Sequence, residues 1–316
     1  MPENLDDVLP ALLSVRPLGS GSREAHDLRR RAARGELVRV GPGTFVTAEE
    51  WQVLDPRQRH VLRTAARVPR LDARVAASHW SALALHQLPR ISAWPPAAEV
   101  VDPGRARTQV STNVVRHAAS LPDEEVTRVH GVRTTTPHRS ALDAVLGASF
   151  LDGVAVLDAA LHRGIVDRGV LADEVDRRAA RGARGASGAR RALTFARSEC
   201  ESPGETLTRV QLHLLGAPEP VLQQAFPLGA SMARVDFWFP EHGVVLEFDG
   251  AVKYADPRIL RGRAVAEVVA DEKRRENALR RAHPRVRAVV RVTWAEVADL
   301  RRFRALLQEV GVPCTR

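Results

Sequence analysis

Residues 233–249 constrain this chain most, because apolar and acidic residues alternate there on both sides of a turn. The segment reads ARVDFWF, then PEHG, then VVLEFD. Alternation with a period of two predicts two β-strands, and the turn residues at 240–243 predict that the strands form a hairpin. A two-residue loop in this hairpin pairs Asp236 directly with Glu247.

Acidic residues are expected to crowd one face of this hairpin. Asp249 lies two residues beyond Glu247 and therefore shares its face with Glu247 and the opposing Asp236. Like charges opposite one another destabilise a sheet by up to about 1 kcal/mol per pair. A divalent cation removes this repulsion, and hard oxygen ligands suit Mg²⁺ or Mn²⁺. The pattern predicts a metal site; solvated acids on an edge hairpin, or acids paired with arginines, are the alternative.

The lysines of the chain fall in the same region. Of 47 basic residues only two are lysine, Lys253 and Lys273, and both follow the acidic hairpin. A lysine is a compact ammonium whose pKa can shift, and beside a metal it can orient water or stabilise a charged transition state. Coincidence is the alternative.

A helix is predicted immediately before the hairpin. Ser202 is its N-cap, Pro203 is its first residue, and Glu205 completes a capping box, which is also a purely structural explanation of Glu205. One turn on, Arg209 is expected to contact phosphate or to pair with Glu205. Over 202–309 the residues predict the order α-β-β-α-β-α, with Lys273 and Arg274 on the second helix.

Residues 1–55 are predicted to form a winged-helix-like DNA-binding unit. A helix capped by Ser22 runs to about residue 34, and two short strands follow around a turn at 41–43. A helix followed by a basic hairpin places arginines against a phosphate backbone, and a solvated helix face is the alternative. The arginines that carry this prediction are Arg29, Arg30, Arg34 and Arg39.

Residues 56–150 are predicted to form a mixed α/β module. Helices are expected from Asp55 and over 72–87, with strands at 97–101, 109–117 and about 126–135. His79 and His86 lie seven residues apart, and structural histidines are favoured over metal ligands. Helices are predicted at 151–163, 168–180 and 186–198. Their arginines are assigned to a solvated linker over 151–200, and a phosphate track is the alternative.

Two family resemblances follow from these segments. The stretches GELVRVGPGTFV, ASHWSALALHQLP and VHGVRTTTPHRSALDAV, within about residues 10–150, resemble an AbiEi-type antitoxin N-terminal region. The stretches SPGETLTRVQLHLLG, ARVDFWFPEHGVVLEFDGAVKY, EKRRENALRRA and VVRVTWAEV, within about 200–310, resemble the PD-(D/E)xK nuclease superfamily, in its branch related to very-short-patch-repair endonucleases.

The nuclease resemblance implies a restriction-endonuclease-like αβββαβ core at residues 201–316. It implies that Glu205 is the helix acid and that Asp236 and Glu247 are the strand acids. Asp249 occupies the position where the superfamily motif usually has lysine, so that Lys253 or Lys273 would take the catalytic role. Loss of that lysine equally fits an inactive domain that only binds.

Composition agrees with a nucleic-acid partner. The net charge is +9 and the isoelectric point is about 10.9, and basic proteins gain affinity for polyanions through counterion release. An arginine-rich proteome from a GC-rich genome is the alternative explanation. Two cysteines without a CxxC pair or zinc-site spacing predict a cytoplasmic protein, and the sequence has no apolar run of membrane-span length. The acidic residues before the first apolar stretch predict that no signal peptide is present.

The overall prediction is a mixed α/β protein, α+β in class, that acts as a Mg²⁺- or Mn²⁺-dependent endonuclease, on DNA in preference to RNA. A non-catalytic DNA-binding regulator of antitoxin type is the alternative. The resemblances imply a toxin or defence-system component as partner, and a homodimer is a further expectation.

Overall fold

The computed structural model describes residues 12–14, 22–229, 231–250 and 265–316. The chain divides into two compact units. Unit 1 comprises the described residues up to Val156 together with Gly164–Thr194, and unit 2 comprises Leu157–Arg163 and the described residues from Phe195 onward. The boundary at 194/195 lies close to the predicted one at 200/201, while most of the predicted linker lies within unit 1.

Unit 1 opens with a helix and a small antiparallel sheet. Helix α1 (Arg23–Ala33) begins at Ser22, whose hydroxyl accepts from the Ala25 amide. Strands β1 (Leu13–Ser14), β2 (Leu37–Gly41) and β3 (Thr44–Thr47) form the order β1-β3-β2. The predicted helix and hairpin are present, and the assignment of this part to the winged-helix class stays a prediction.

Two capped helices connect this sheet to the rest of unit 1. Helix α2 (Ala48–Val53) and helix α3 (Pro56–Arg67) both begin with a reciprocal capping box, the second with proline at its start as predicted. Their apolar residues pack on the hairpin in one core of Val40, Val46, Leu54, Leu62 and Ala66.

A six-stranded mixed sheet forms the middle of unit 1, in the order β6-β7-β5-β4-β9-β8. Its strands are β4 (Ala76–Ala77), β5 (Ala98–Val101), β6 (Gln109–Val110), β7 (Val114–His117), β8 (Val126–Val129) and β9 (Val132–Thr135). Helix α4 (His79–Leu85) follows β4, and helix α5 (Pro137–Gly147) follows β9.

The helix predicted over 72–87 is therefore wrong in its first half. Ala76 and Ala77 are fully buried in β4, between β5 and β9, and the helix begins only after Ser78. Alanine favours a helix locally, but two buried residues at the centre of a sheet gain ladder hydrogen bonds that override this preference.

Three further helices follow: α6 (Phe150–His162), α7 (Arg168–Ala180) and α8 (Ala186–Phe195). They agree closely with the predicted helices at 151–163, 168–180 and 186–198. None of the helices in the described part of the chain is both long enough and apolar enough to span a membrane.

Unit 2 contains a four-stranded sheet with helices before and after it. The order along the chain is α9 (Pro203–Leu215), β10 (Val221–Leu228), β11 (Ser231–Phe239), β12 (Val244–Phe248), α10 (Val265–Ala282), β13 (Ala288–Val292), α11 (Trp294–Ala298) and α12 (Leu300–Glu309). The sheet order is β10-β11-β12-β13, antiparallel except for the parallel pair β12/β13.

The register of the acidic hairpin is the predicted one. Phe237 pairs with Leu246, and Phe239 pairs with Val244. Strand β10 was missed by the residue pattern, which predicted two strands here instead of three. Its polar residues, Gln223 and Gln224, and Pro227 obscure the alternation, and pairing along one edge of the sheet tolerates proline. The resulting helix, three strands, helix, strand is the order that the resemblance implied; its assignment to a nuclease fold stays a prediction.

Candidate functional site

Four polar side chains lie level with one another across the unit 2 sheet, one on each strand. On β12 and β13 the register pairs Glu247 with Arg291. The β11/β12 register, continued by one residue past its last ladder pair, brings Asp236 level with Glu247. The β10/β11 register places Gln223 level with Asp236. We call this set the polar row: Gln223, Asp236, Glu247 and Arg291.

Gln223 holds two acids of different elements together. Its Nε2 donates to Glu205 Oε2 at 2.9 Å and to Asp236 Oδ1 at 3.4 Å. The Gln223 backbone has φ 49°, in the left-handed region that residues other than glycine rarely adopt. Such strain costs about 1–3 kcal/mol and concentrates at functional sites. The structure therefore maintains an unfavourable backbone at the residue that joins the two carboxylates.

Glu205 is buried, at 7% exposure, in the first turn of α9. Its Oε1 accepts from the Ser202 hydroxyl at 2.7 Å, and its Oε2 accepts from the Glu201 amide at 3.0 Å. Half of the predicted capping box is present: the Glu205 amide donates to the Ser202 hydroxyl at 3.2 Å, but the Glu205 carboxylate accepts from the Glu201 amide instead of the Ser202 amide. The contact with Gln223 is added to these bonds. Gly204 permits the approach to the sheet, because a Cβ there would lie 2.0 Å from the Phe248 ring.

Asp236 replaces a backbone bond at the end of the hairpin ladder. Its Oδ2 accepts from the Phe248 amide at 2.8 Å. This amide lies on β12, one residue after Glu247, the acid predicted to lie opposite Asp236. The carboxylate is therefore fixed at the point where β11 and β12 separate.

Glu247 is balanced by two arginines. Its Oε1 accepts from Arg275 Nη1 on α10 at 3.2 Å, and its Oε2 lies 3.4 Å from Arg291 Nε. The Glu247 side chain is 15% exposed, so these ion pairs are partly shielded from water. Arg275 and Arg291 therefore reduce the repulsion that the acidic residues would otherwise exert.

Asp249 has an unsatisfied oxygen. Its backbone amide donates to the Val292 carbonyl at 2.8 Å, but its enclosed Oδ1 has no hydrogen-bond partner among the described residues. An enclosed carboxylate oxygen without a donor is costly unless a cation or another group approaches it. This atom is the feature of the site that best fits a metal ion.

The metal-binding set stays a prediction. Within residues 22–229, 231–250 and 273–316, whose side chains the structure describes, no three His, Cys, Asp or Glu side chains are grouped closely enough to hold an ion. The nearest approach to the predicted set is the pair Glu205 and Asp236, joined through Gln223.

Of the two predicted lysines, Lys273 lies within the part of the chain that the structure describes. Lys253 lies outside the described residues. Lys273 is exposed on α10, and the α10 residue that pairs with Glu247 is Arg275. Arg274, predicted to bind nucleic acid, is also exposed on this helix.

Arg209 has a structural role that the sequence did not indicate. It is 6% exposed, and its Nη2 donates to both carboxylate oxygens of Asp158, at 2.9 and 2.7 Å. Burial acts to lower the pKa of Arg209, but the charge and hydrogen bonds of Asp158 outweigh it and raise the pKa. Its partner is therefore Asp158 and not Glu205, and so enclosed a side chain has no surface to offer a phosphate.

The predicted N-terminal arginines lie on the surface of unit 1. All four, Arg29, Arg30, Arg34 and Arg39, are exposed. Arg30 pairs with Asp27 at 3.1 Å and Arg34 with Glu36 at 2.8 Å, while Arg39 Nε donates to the Gly41 carbonyl at 3.2 Å. Their exposure leaves a phosphate contact open to test.

His79 and His86 both have partners within unit 1. The His86 ring nitrogen Nε2 lies 2.8 Å from the Thr135 carbonyl. His79 stacks on His117 with ring centroids 3.7 Å apart. The two predicted residues therefore do not face a common site.

Sequence reasoning missed three residues of the site: Gln223, Arg275 and Arg291. The only local signal is the polar pair at 223–224 between apolar residues, of which Gln223 contacts the two acids. Arg275 and Arg291 stand among many other arginines, and only the strand register and the helix position distinguish them.

One comparison with known proteins gives a match. Residues 73–194 match the family model for the AbiEi antitoxin C-terminal domain, fewer than half of the 316 residues. The match begins later than the segment that suggested the AbiEi resemblance, and it includes α7 and α8, which had been predicted as linker. No curated protein matches the chain.

Proposed function

We propose that this chain is a DNA-binding protein of an antitoxin or defence system whose unit 2 hydrolyses phosphodiester bonds with the aid of a divalent cation. The antitoxin-family match in unit 1 supports the system to which it belongs. The observation that carries the catalytic part is the convergence of Glu205 and Asp236 on Gln223, a residue held in a strained backbone.

The residues that would hold Mg²⁺ or Mn²⁺ are Glu205, Asp236 and Glu247, with Asp249 beside them. Their donor atoms are all carboxylate oxygens, which these ions prefer, and the enclosed Asp249 Oδ1 still lacks a partner among the described residues. Bound there, the ion would supply Lewis acidity at a phosphate oxygen.

The neighbouring residues prepare this site. Gln223 holds Glu205 and Asp236 at a defined separation through one amide group. Arg275 and Arg291 pair with Glu247, and we expect their positive charge to assist the binding of a phosphate. Lys253 or Lys273 is the proposed lysine of the reaction.

The test is cleavage of plasmid, linear and single-stranded DNA and of RNA by the purified full chain, with Mg²⁺, Mn²⁺ or EDTA. Asp236→Asn and Glu247→Gln keep side-chain size and remove charge. We expect metal-dependent cleavage by the wild type and a loss of about 100-fold or more in each variant, as for removal of a principal electrostatic group.

A matched control is Glu219→Gln, which removes an exposed acid of the same unit that pairs with Arg197 at 3.2 Å. Its cleavage rate should equal that of the wild type. Cleavage that persists in both Asp236→Asn and Glu247→Gln would show a contaminating nuclease and refute the proposal.

A second candidate is a DNA-binding regulator without turnover. Two observations favour it: Asp249 stands where the superfamily motif has lysine, and Glu247 is already paired with two arginines. DNA binding by the wild type with no cleavage under any metal condition, unchanged in Asp236→Asn, would select this candidate.

DNA binding itself has a separate test in the exposed arginines of unit 1. Each phosphate contact contributes about −0.9 to the slope of log affinity against log salt. The double variant Arg29→Ala, Arg34→Ala should flatten this slope by up to about 1.8. Glu24→Ala, an exposed change on the same helix, is the control; an equal slope in all three proteins would remove these arginines from the interface.

A further inference from the structure

Unit 1 contains a cavity that the proposed function does not use. Its volume is about 710 Å³, within the range of about 300–1,000 Å³ typical of small-molecule sites. Five elements and their connections supply the wall. The polar groups on it are His79, Glu99, Thr108, His117, Arg139, Asp143, Arg178 and Arg184.

A pair of stacked imidazoles forms one side of this cavity. The rings of His79 and His117 are nearly parallel, with an interplanar angle of 15° and a centroid distance of 3.7 Å. His79 has φ 48°, a left-handed backbone at a residue other than glycine. Burial, with the neighbouring His117, lowers the pKa of His79 to about 3, so that this ring is neutral at pH 7 and presents a flat face.

One imidazole nitrogen on this side, His117 Nε2, has a long contact with Glu99. His117 Nε2 is enclosed and makes no hydrogen bond with any described residue, although Glu99 Oε1 lies 3.5 Å away. The other oxygen of Glu99 accepts from the Trp80 amide at 3.1 Å. Glu99 therefore connects the His117 side of the cavity to the start of α4.

The arginines that line the cavity are compensated to different degrees. Arg139 is compensated by Asp143, at 2.7 Å, and by Glu125. Arg178 shares Asp143 at 3.5 Å and Glu174 at 3.7 Å, distances of weak pairs. Arg184 makes no ion pair or hydrogen bond with the described residues.

The position of Arg184 is set by the glycine that follows it. Gly185 has φ 84°, and a Cβ there would lie 1.7 Å from the Leu146 carbonyl oxygen. Only glycine lets this connection approach α5 so closely. The approach brings Arg184 and Leu146 to the same cavity wall.

We propose that this cavity binds a nucleotide phosphate, with the phosphate on Arg178 and Arg184 and the base against the His79–His117 pair. Guanidinium groups bind phosphate oxygens through charge-assisted hydrogen bonds, and flat rings stack on bases. The chemistry is shared by a free mononucleotide and by the 5′-phosphorylated end of a nucleic-acid strand. This inference does not depend on the carboxylates of unit 2.

Calorimetric titration of the full chain distinguishes these sources. The probes are AMP, adenosine, inorganic phosphate, and a tetranucleotide with or without a 5′-phosphate. We expect AMP to bind more tightly than both adenosine and phosphate. Tighter binding of the 5′-phosphorylated tetranucleotide than of AMP supports the proposal and assigns a strand end as the natural ligand.

Arg184→Ala should weaken binding of the best probe at least about tenfold, through loss of a charge-assisted contact. Arg181→Ala removes an exposed arginine of the same connection that does not line the cavity, and its affinity should equal that of the wild type. Asp236→Asn should also bind normally, because it alters unit 2 alone.

Three outcomes would overturn the proposal. One is the absence of binding by AMP and by the 5′-phosphorylated tetranucleotide at millimolar concentration. Another is equal affinity of Arg184→Ala and wild type, and the third is phosphate binding as tight as AMP binding, which would remove the base from recognition. Because Arg184 is exposed, the variant is expected to fold, and its thermal unfolding curve verifies this.

Discussion

The cavity of unit 1 and the polar row of unit 2 handle charge in opposite ways. In the cavity, buried ions compensate one another, as Arg139 and Asp143 do, and the exposed Arg184 on the wall has no ion pair with the described residues. In the polar row, acids gather at the ends of strands, and arginines from α10 and β13 pair with Glu247. This difference underlies our two proposals, an anion in the first site and a cation in the second.

Burial explains this contrast. A charge removed from water requires a partner nearby, or else its pKa shifts until it is neutral. The pKa of His79 is lowered, so that the ring is neutral, whereas Arg139 stays charged beside its partner Asp143. The Asp236 carboxylate of the polar row accepts hydrogen bonds from two amide donors, the Gln223 side chain and the Phe248 backbone, which orient it and carry no net charge themselves.

The largest expected effect comes from a buried ion pair of unit 2 that belongs to neither site. Asp158→Ala leaves the Arg209 guanidinium enclosed without its bidentate partner. Loss of one member of a buried pair costs about 3–5 kcal/mol, which urea unfolding of the full chain would measure.

Glu201→Ala provides the control, because it breaks an exposed pair with Arg234 whose loss should cost no more than about 1 kcal/mol. An equal, small loss in both variants would show that burial does not distinguish the Asp158 pair from a surface pair.

A pH effect on stability is expected next in size and belongs to unit 1. His60 is fully buried, its Nδ1 donates to the Pro95 carbonyl, and burial lowers its pKa to about 4. Between pH 6.5 and pH 4 the unfolded chain binds a proton that folded His60 does not. Stability is therefore present above pH 6.5 and is lost as the pH falls, by about 2–3 kcal/mol for this residue.

Chemical unfolding followed at pH 7 and pH 4.5 measures this loss. His60→Gln removes the titrating group while it keeps a polar side chain. The difference in the free energy of unfolding between pH 7 and pH 4.5 should then shrink by the amount that His60 contributes. An unchanged difference in the variant would mean that His60 does not contribute to the acid sensitivity of unit 1.

The smallest expected effect tests the strain at the polar row. Gln223→Gly and Gln223→Ala both remove the amide, so that the two variants differ only in how well they adopt φ 49°. Gln223→Gly should be the more stable by about 1 kcal/mol, because glycine adopts positive φ without strain. Thermal unfolding of the pair measures the difference.

Equal stability of these two variants would show that the backbone at 223 relaxes without the amide. The strain would then be imposed by the contact with Glu205 and Asp236 rather than by the strand. His79 at the cavity has a similar positive φ. Because these variants change only residue 223, either result concerns the backbone of the polar row and not that of the cavity.

Local patterns predicted much of the secondary structure. Capping residues predicted where three helices begin, at Ser22, Asp55 and Ser202. A cap acts on backbone groups only a few positions away, so the sequence shows it directly. The register of β11 and β12 follows from a short turn. The sequence pattern did not predict strand β10, because its pairing at the edge of the sheet outweighs its weak local preference. It also predicted a helix from residue 72, where burial at the centre of a sheet outweighs the helical preference.

The sequence by itself determined the capped helices, the acidic hairpin and its register, since these depend on neighbours a few residues apart. The tertiary structure alone decided that Gln223 joins Glu205 to Asp236, that Asp158 is the partner of Arg209, and that Arg184 reaches the cavity. Such contacts join segments far apart in the chain. They depend on strand order and helix packing, which optimise burial over a whole unit and leave no periodic trace in any one segment.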